Sequence, residues 1–376
     1  MIPVNEPKLG ERELEYVSAC VRSGWVSSAG NYIEEFEAQW AAYCGRRFGV
    51  ALANGTTALH VAVELLDLQP GDEVIMPTFT IISCAWPIVQ AGARPVLVDS
   101  DPTTWTMDVT QLARAVTPRT RAIMPVHLYG HPVDMDPVLD LAERHGLAVI
   151  EDAAEAHGAE YRHHQTGQWQ RCGSFGTTST FSFYANKLVT TGEGGMLLTD
   201  EPALAERAAR LRNLGFLPER RFLHTERGYN YRLTNMQAAL GVAQLARIDE
   251  IVARKRWLGA AYAERLADLV DIGVQLAPAE PWARSVYWMY GLVLDERRGV
   301  DALELARRLR ARGVDTRPFF LGMHEQPVFR ERGLFLEDRH PVAERLARQG
   351  LYLPSGLGLS ECQLEQVCDA VHASLA

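Results

Sequence analysis

The sequence lacks the features that would place it outside a cell or in a membrane. No uninterrupted apolar run approaches the ~20 residues that a spanning helix needs. The opening residues, Met1-Ile2-Pro3-Val4-Asn5-Glu6, have no basic region followed by an apolar stretch. Neither secretion nor membrane insertion is expected, and the cytoplasm is the expected compartment. The six cysteines, Cys20, Cys44, Cys84, Cys172, Cys362 and Cys368, lack the close pairing of zinc sites and disulfide frameworks. No metal site is expected, and the thiols should be reduced. Basic charge is not in excess either: the formal net charge is −9 with both signs mixed along the chain, which argues against nucleic acid as a partner. Arginine-rich stretches such as Arg307-Arg308-Leu309-Arg310 fall at amphipathic spacing and read as solvated helix faces. Low-complexity tracts and internal repeats are missing too.

What is present is an ordinary globular composition, 47% hydrophobic and 23% charged over 376 residues. That length exceeds what one core normally serves, so two domains are expected, a large α/β domain over 1–248 and a smaller α+β domain over 249–376. Leu14, Val17 and Val21 mark one helix face; Ile33, Phe36, Trp40 and Tyr43 mark another, closed by Gly45. Short apolar runs follow at 73–76, 95–98, 122–126, 147–150, 180–183 and 196–198. Their alternation with helical patterns predicts a mostly parallel sheet, whose strand ends face a ligand crevice. Beyond about Leu245 the pattern becomes charged helices, 249–269 and 301–312, around an apolar segment at 286–294.

Four separated segments carry groups of chemical interest. Asn54-Gly55-Thr56-Thr57 leads straight into an amphipathic helix, where free amides, a positive dipole end and two hydroxyls suit a phosphate. An apolar strand ends in Glu151-Asp152, followed by Ala153-Ala154-Glu155, and an aspartate there can face a protonated ring nitrogen. Lys187 follows the run Phe181-Ser182-Phe183 and precedes a glycine-rich turn, a place where partial desolvation makes an amine nucleophilic. Gly228-Tyr229-Asn230-Tyr231-Arg232-Leu233-Thr234 precedes a helical pattern, with Thr234 as its N-cap. Taken singly, each has a plainer reading: a cap without ligand, an aspartate capping a helix, a solvated lysine, a packed loop.

Together the ordered motifs N-G-T-T-A-L, E-D-A-A-E-A, F-S-F-Y-A-N-K, T-T-G-E-G-G and G-Y-N-Y-R-L-T-N resemble the DegT/DnrJ/StrS family of sugar aminotransferases over nearly the whole chain. The resemblance implies a fold type I pyridoxal phosphate enzyme, a homodimer with active sites at the subunit interface, using L-glutamate and a nucleotide-linked keto sugar. It implies that Lys187 forms a Schiff base with the cofactor and that Asp152 pairs with the ring nitrogen. Gly55, Thr56, Thr57 and Ser182 would hold the phosphate, joined by Asn230 from the other subunit. Glu155 would lie near the ring hydroxyl, Ile81 would cover the ring, and Trp25, Ser27 and His324 would contact substrate.

Family members that dehydrate their sugar carry His where this chain has Lys187, so amination is implied. The acidic D-A-A-E-A form resembles the members that convert GDP-4-keto-6-deoxymannose to GDP-perosamine. Ile81 stands where relatives place an aromatic, forgoing ~0.5–1.5 kcal/mol of stacking, and Trp86 replaces a usual Asn near the same wall. A 3-keto nucleotide sugar, a cyclitol or another antibiotic precursor is the alternative substrate. A non-catalytic regulator on this fold would need a DNA-binding module or a damaged lysine site, and neither is visible.

Overall fold

In the computed structural model, which describes residues 1–217, 219–220 and 222–376, strand Glu73–Pro77 sends Val74 and Met76 to one face of a sheet and Ile75 to the other. Both faces are covered by helices, so the period-two alternation of a strand reads as a continuous apolar run. Ile75 is wholly buried, and Ile75→Ala would cost about 2–5 kcal/mol. The sheet has seven strands in the spatial order Phe48–Leu52, Gly195–Thr199, Thr178–Ser182, Ala148–Asp152, Thr120–Ile123, Glu73–Pro77, Arg94–Val98. Gly195–Thr199 is antiparallel to both neighbours, and the other six strands share one direction. The architecture is the expected α/β fold type I transferase with a mixed, mostly parallel sheet.

Helix Asn31–Cys44 buries Ile33, Phe36 and Trp40 and ends at Gly45 in the left-handed conformation, as its pattern predicts. Helix Glu11–Ser23 also forms, but its burial is inverted. Leu14 and Val21 are more than half exposed, whereas Glu13 and Cys20 are buried against helix Asn235–Leu245. Hydrogen bonds account for the inversion, because Glu13 accepts from Gln244 and from the Gly10 N–H, and Cys20 bonds to Asn235.

Helix Ile248–Arg265 follows helix Asn235–Leu245. Beyond it lies a four-stranded antiparallel sheet, ordered Gln275–Leu276, Tyr290–Val293, Gly350–Leu353, Arg317–Pro318. This part is fastened to the rest of the chain at several points. Met323 donates to Thr78 O at 2.8 Å, the amides of Val342 and Ala343 donate to Asp99, and Ile2 pairs with Val314. No helix among the described residues is long and apolar enough to cross a membrane.

Candidate active site

At the carboxyl edge of the parallel strands, residues from both parts of the chain line a cavity of about 460 Å3. Alternation along Ala148–Asp152 separates its two terminal carboxylates. Glu151 lies outside the cavity wall, fully buried, accepting from His127 Nε2 (2.8 Å), Phe175 N (2.8 Å) and Gly173 N. The Val133 N–H donates to His127 Nδ1 at 2.9 Å, which leaves the ring proton on Nε2. Asp152 lines the cavity and is also buried; its Oδ1 accepts the Ala154 N–H at 3.0 Å and its Oδ2 accepts the Cys84 thiol at 3.1 Å. Since that thiol proton is spent, the Thr80 hydroxyl, 3.4 Å from the Cys84 sulfur, is the donor to it. Burial pushes the Asp152 carboxyl up, opposed by these donors and by Lys187.

The loop after strand Thr178–Ser182 brings Lys187 into the same cavity. Its Nζ stands 3.5 Å from Glu155 Oε1 and 3.6 Å from the centroid of the Trp288 ring. Burial lowers the amine, while the charges of Glu155 and Asp152 push it back up. Burial likewise raises the Glu155 carboxyl to about 7, opposed by Lys187 and by the Tyr129 N–H at 2.7 Å. Desolvation thus draws both partners toward neutrality, and a neutral amine is the form that attacks carbonyls and accepts protons.

At the other end of the cavity, helix Gly55–Glu64 begins. Gly55 is required there by close approach, because a Cβ would stand 2.7 Å from Ser182 Cβ. Gly195 is constrained in the same way, with Asn54 O only 2.2 Å from where its Cβ would lie. Gly55, Thr56 and Ser182 line the cavity, and first-turn amides have no intrahelical acceptor. Thr57, expected to hold the phosphate beside Thr56, is engaged by its own helix cap. Its N–H donates to Asn54 Oδ1 at 2.9 Å and its hydroxyl donates to Asn54 O at 2.8 Å, so it closes the helix cap and is absent from the cavity wall. Thr56 remains open, with its hydroxyl 2.9 Å from that of Ser83.

These groups fit pyridoxal phosphate. An unobstructed helix start suits its phosphate, a buried carboxylate suits a protonated ring nitrogen, and a desolvated lysine suits its aldehyde. Ile81 lies on the cavity wall, 40% exposed. Trp288, Phe320 and Tyr352 complete the wall from the C-terminal part, and no sequence motif announced them, since Trp288 falls in a segment that reads only as apolar core.

Other expected residues lie elsewhere. His324, expected to contact substrate, is 2% exposed, with Nδ1 2.8 Å from the Thr78 hydroxyl and Nε2 3.3 Å from Glu344, so both ring nitrogens face protein partners. It ties the loop after strand Glu73–Pro77 to helix Pro341–Gln349 instead of facing the cavity. Trp86 packs against Phe329 and is likewise absent from the wall. Trp25 and Ser27 are pinned by their carbonyls to Asn235, at the start of helix Asn235–Leu245. Asn230 is exposed and accepts from Arg232 at 2.8 Å. None of these three lines the cavity of its own chain.

A model of the DegT/DnrJ/EryC1/StrS aminotransferase family matches residues 7–372. The chain is 44% identical over 371 residues to a GDP-perosamine synthase of Caulobacter vibrioides, covering 98% of this chain and 97% of that protein. It is 40% identical over 371 residues to the GDP-perosamine synthase of Escherichia coli O157:H7, with 99% and 98% covered. Among solved structures, DesV of S. venezuelae matches with a TM-score of 0.88 at 38% identity, covering 96% of this chain and 94% of that one.

Proposed function

From the premise that the chain belongs to the DegT/DnrJ/EryC1/StrS aminotransferase family and is a pyridoxal phosphate-dependent sugar aminotransferase, we propose that it moves the amino group of L-glutamate to carbon 4 of GDP-4-keto-6-deoxymannose, forming GDP-perosamine. The observation that carries this reading is Lys187 Nζ, an amine where dehydrating relatives have an imidazole, set beside Glu155 in the cavity that Asp152 also lines. The GDP-linked substrate is supported by the Caulobacter and Escherichia relatives, matched over 97% and 98% of their lengths.

Bound there, pyridoxal phosphate supplies the electron sink that lets an amino group leave one carbon and join another. Gly55, Thr56 and Ser182 would hold its phosphate, and Asp152 would balance the charge of its ring nitrogen. Lys187, its amine lowered by burial, would take the proton from the donor's α carbon and hand it to the cofactor in the first half of the reaction, and would run the same transfer in reverse, onto carbon 4 of the sugar, in the second. Glu155, held by the Tyr129 N–H, keeps that amine oriented, and the Trp288 ring, 3.6 Å from it, shields it from water. Trp288, Phe320 and Tyr352 are the contribution of the unit after residue 248.

The enzyme works as a homodimer in the cytoplasm on this reading. The positions of Trp25, Ser27 and Asn230 outside their own chain's cavity support a role in the partner's site. Incubation with L-glutamate and a panel of GDP-, dTDP- and UDP-linked keto sugars, with products identified by mass and NMR, tests the assignment. It should show ping-pong kinetics and GDP-perosamine; amination of a 3-keto or dTDP sugar alone would refute the substrate.

A further inference from the structure

Lys255, on helix Ile248–Arg265, is wholly enclosed at 2% exposure, and among the described residues no carboxylate pairs with it. Its Nζ instead donates to two carbonyls, Trp288 O at 3.0 Å and Ser355 O. A buried ammonium without a counter-ion is costly, and burial lowers this one to about 7. Even the neutral amine has the two N–H bonds that both carbonyls need.

What those carbonyls belong to gives the lysine a purpose. Trp288 lays its ring against Lys187 Nζ, and its indole N–H donates at 2.7 Å to the carbonyl of Asn186, the residue before Lys187. The same Asn186 carbonyl accepts the Asn5 side chain at 2.9 Å. Ser355 donates its N–H to Val4 O at 2.8 Å and accepts the Tyr290 N–H on its hydroxyl at 2.9 Å. A single amine therefore joins the N-terminal segment, the 288–290 strand entry and the turn at 355 behind the active-site lysine. An apolar side chain could fill the volume but could not hold both carbonyls.

We propose that Lys255 is a positioning residue that fixes Trp288 and, through it, Lys187 in the geometry required for cofactor capture and proton transfer. The proposal rests on the aminotransferase reading. A role confined to stability would change unfolding and leave Lys187 as it was.

The variants are Lys255→Met, which keeps an unbranched chain of similar length without donors, Lys255→Arg, which keeps them, and Trp288→Phe, which removes the indole bond to Asn186. Two quantities are read: pyridoxal phosphate affinity, and the pH dependence of Lys187 acetylation in cofactor-free protein by peptide mass spectrometry. K255M is expected to weaken affinity about tenfold or more; a misplacement of about an ångström can cost about a hundredfold in rate. It should also move the acetylation profile, with K255R restoring much of both. K255M combined with W288F should be no worse than the more severe of the two alone, because Lys255 reaches Lys187 through Trp288. Wild-type affinity and an unmoved acetylation profile in K255M would overturn the proposal. If K255M does not fold, W288F carries the test, and an unchanged Lys187 profile in W288F is equally fatal. Wild-type protein that fails to bind pyridoxal phosphate would overturn the functional reading instead, which separates the two failures.

Discussion

Replacing Glu155 by Gln removes the charge nearest the reacting amine while keeping the shape and a hydrogen-bond acceptor for the Tyr129 N–H. At the observed 3.5 Å and an effective dielectric near 20, a fully ionised pair would be worth about 5 kcal/mol. Because burial brings Glu155 to about 7, the carboxyl is only partly ionised at neutral pH, so a loss nearer 1–2 kcal/mol is expected. Glu155 is the foremost group holding the Lys187 amine up against desolvation, so E155Q makes that amine neutral at lower pH. Acetylation of Lys187 in the cofactor-free protein at pH 7 should therefore speed up about fivefold or more. The acid limb of kcat/KM should move to lower pH in the same variant. Unchanged or slower acetylation in E155Q, with the protein folded, would refute the buried pair as the control of Lys187.

Cys84→Ala removes the thiol that donates to Asp152 at 3.1 Å; a hydrogen bond to a charged acceptor is worth about 1.5–3 kcal/mol, so cofactor affinity should fall about tenfold or more, with Cys84→Ser preserving it. Equal affinity in C84A by absorbance titration would contradict the role of that contact. Asn54→Ala should cost about 1 kcal/mol in urea denaturation through loss of the helix cap, whereas Thr56→Ala should leave the denaturation midpoint in place and weaken cofactor binding. His131 and His157 are lowered by burial to about 4 and about 3, so the folded protein keeps them neutral while the unfolded chain protonates them below about 6.5. The unfolded state then binds more protons, and stability falls as pH drops through that window, by roughly 2.7 kcal/mol per pH unit from the two together. A flat unfolding free energy between pH 6 and 4.5 would contradict their burial as neutral rings.

Much of the sheet was legible because its strands are buried on both faces, so Val74, Ile75 and Met76 stand as an unbroken apolar run despite pointing in alternate directions. Strand Phe48–Leu52 escaped notice, being five residues set between a glycine cap and a turn already read as a ligand site. Asp152 and Lys187 were legible as chemistry because polar groups directly after apolar strands must end at the sheet edge. Thr57 and His324 stand apart from the other expected site residues for a common reason. Spacing shows which side chains are near a site, but not whether local partners have already claimed their donors and acceptors, as Asn54 claims Thr57 and as Thr78 and Glu344 claim His324. Trp288, Tyr352 and Lys255 were invisible because their roles come from contacts between residues far apart in the chain, 33 residues for Lys255 with Trp288 and 100 or more for Lys255 with Ser355 and Trp288 with Asn186, with nothing local to mark them. The helix at Glu11–Ser23 adds a further limit, since periodicity locates an apolar face without saying whether this chain covers it.

The central claim is that Lys187 is the residue that captures pyridoxal phosphate. Holoenzyme reduced with borohydride, digested and analysed by mass spectrometry should carry the phosphopyridoxyl group on the peptide containing Lys187, and Lys187→Arg should abolish both the label and amino transfer. Cofactor found on another lysine, or amino transfer that survives in K187R, would contradict the account.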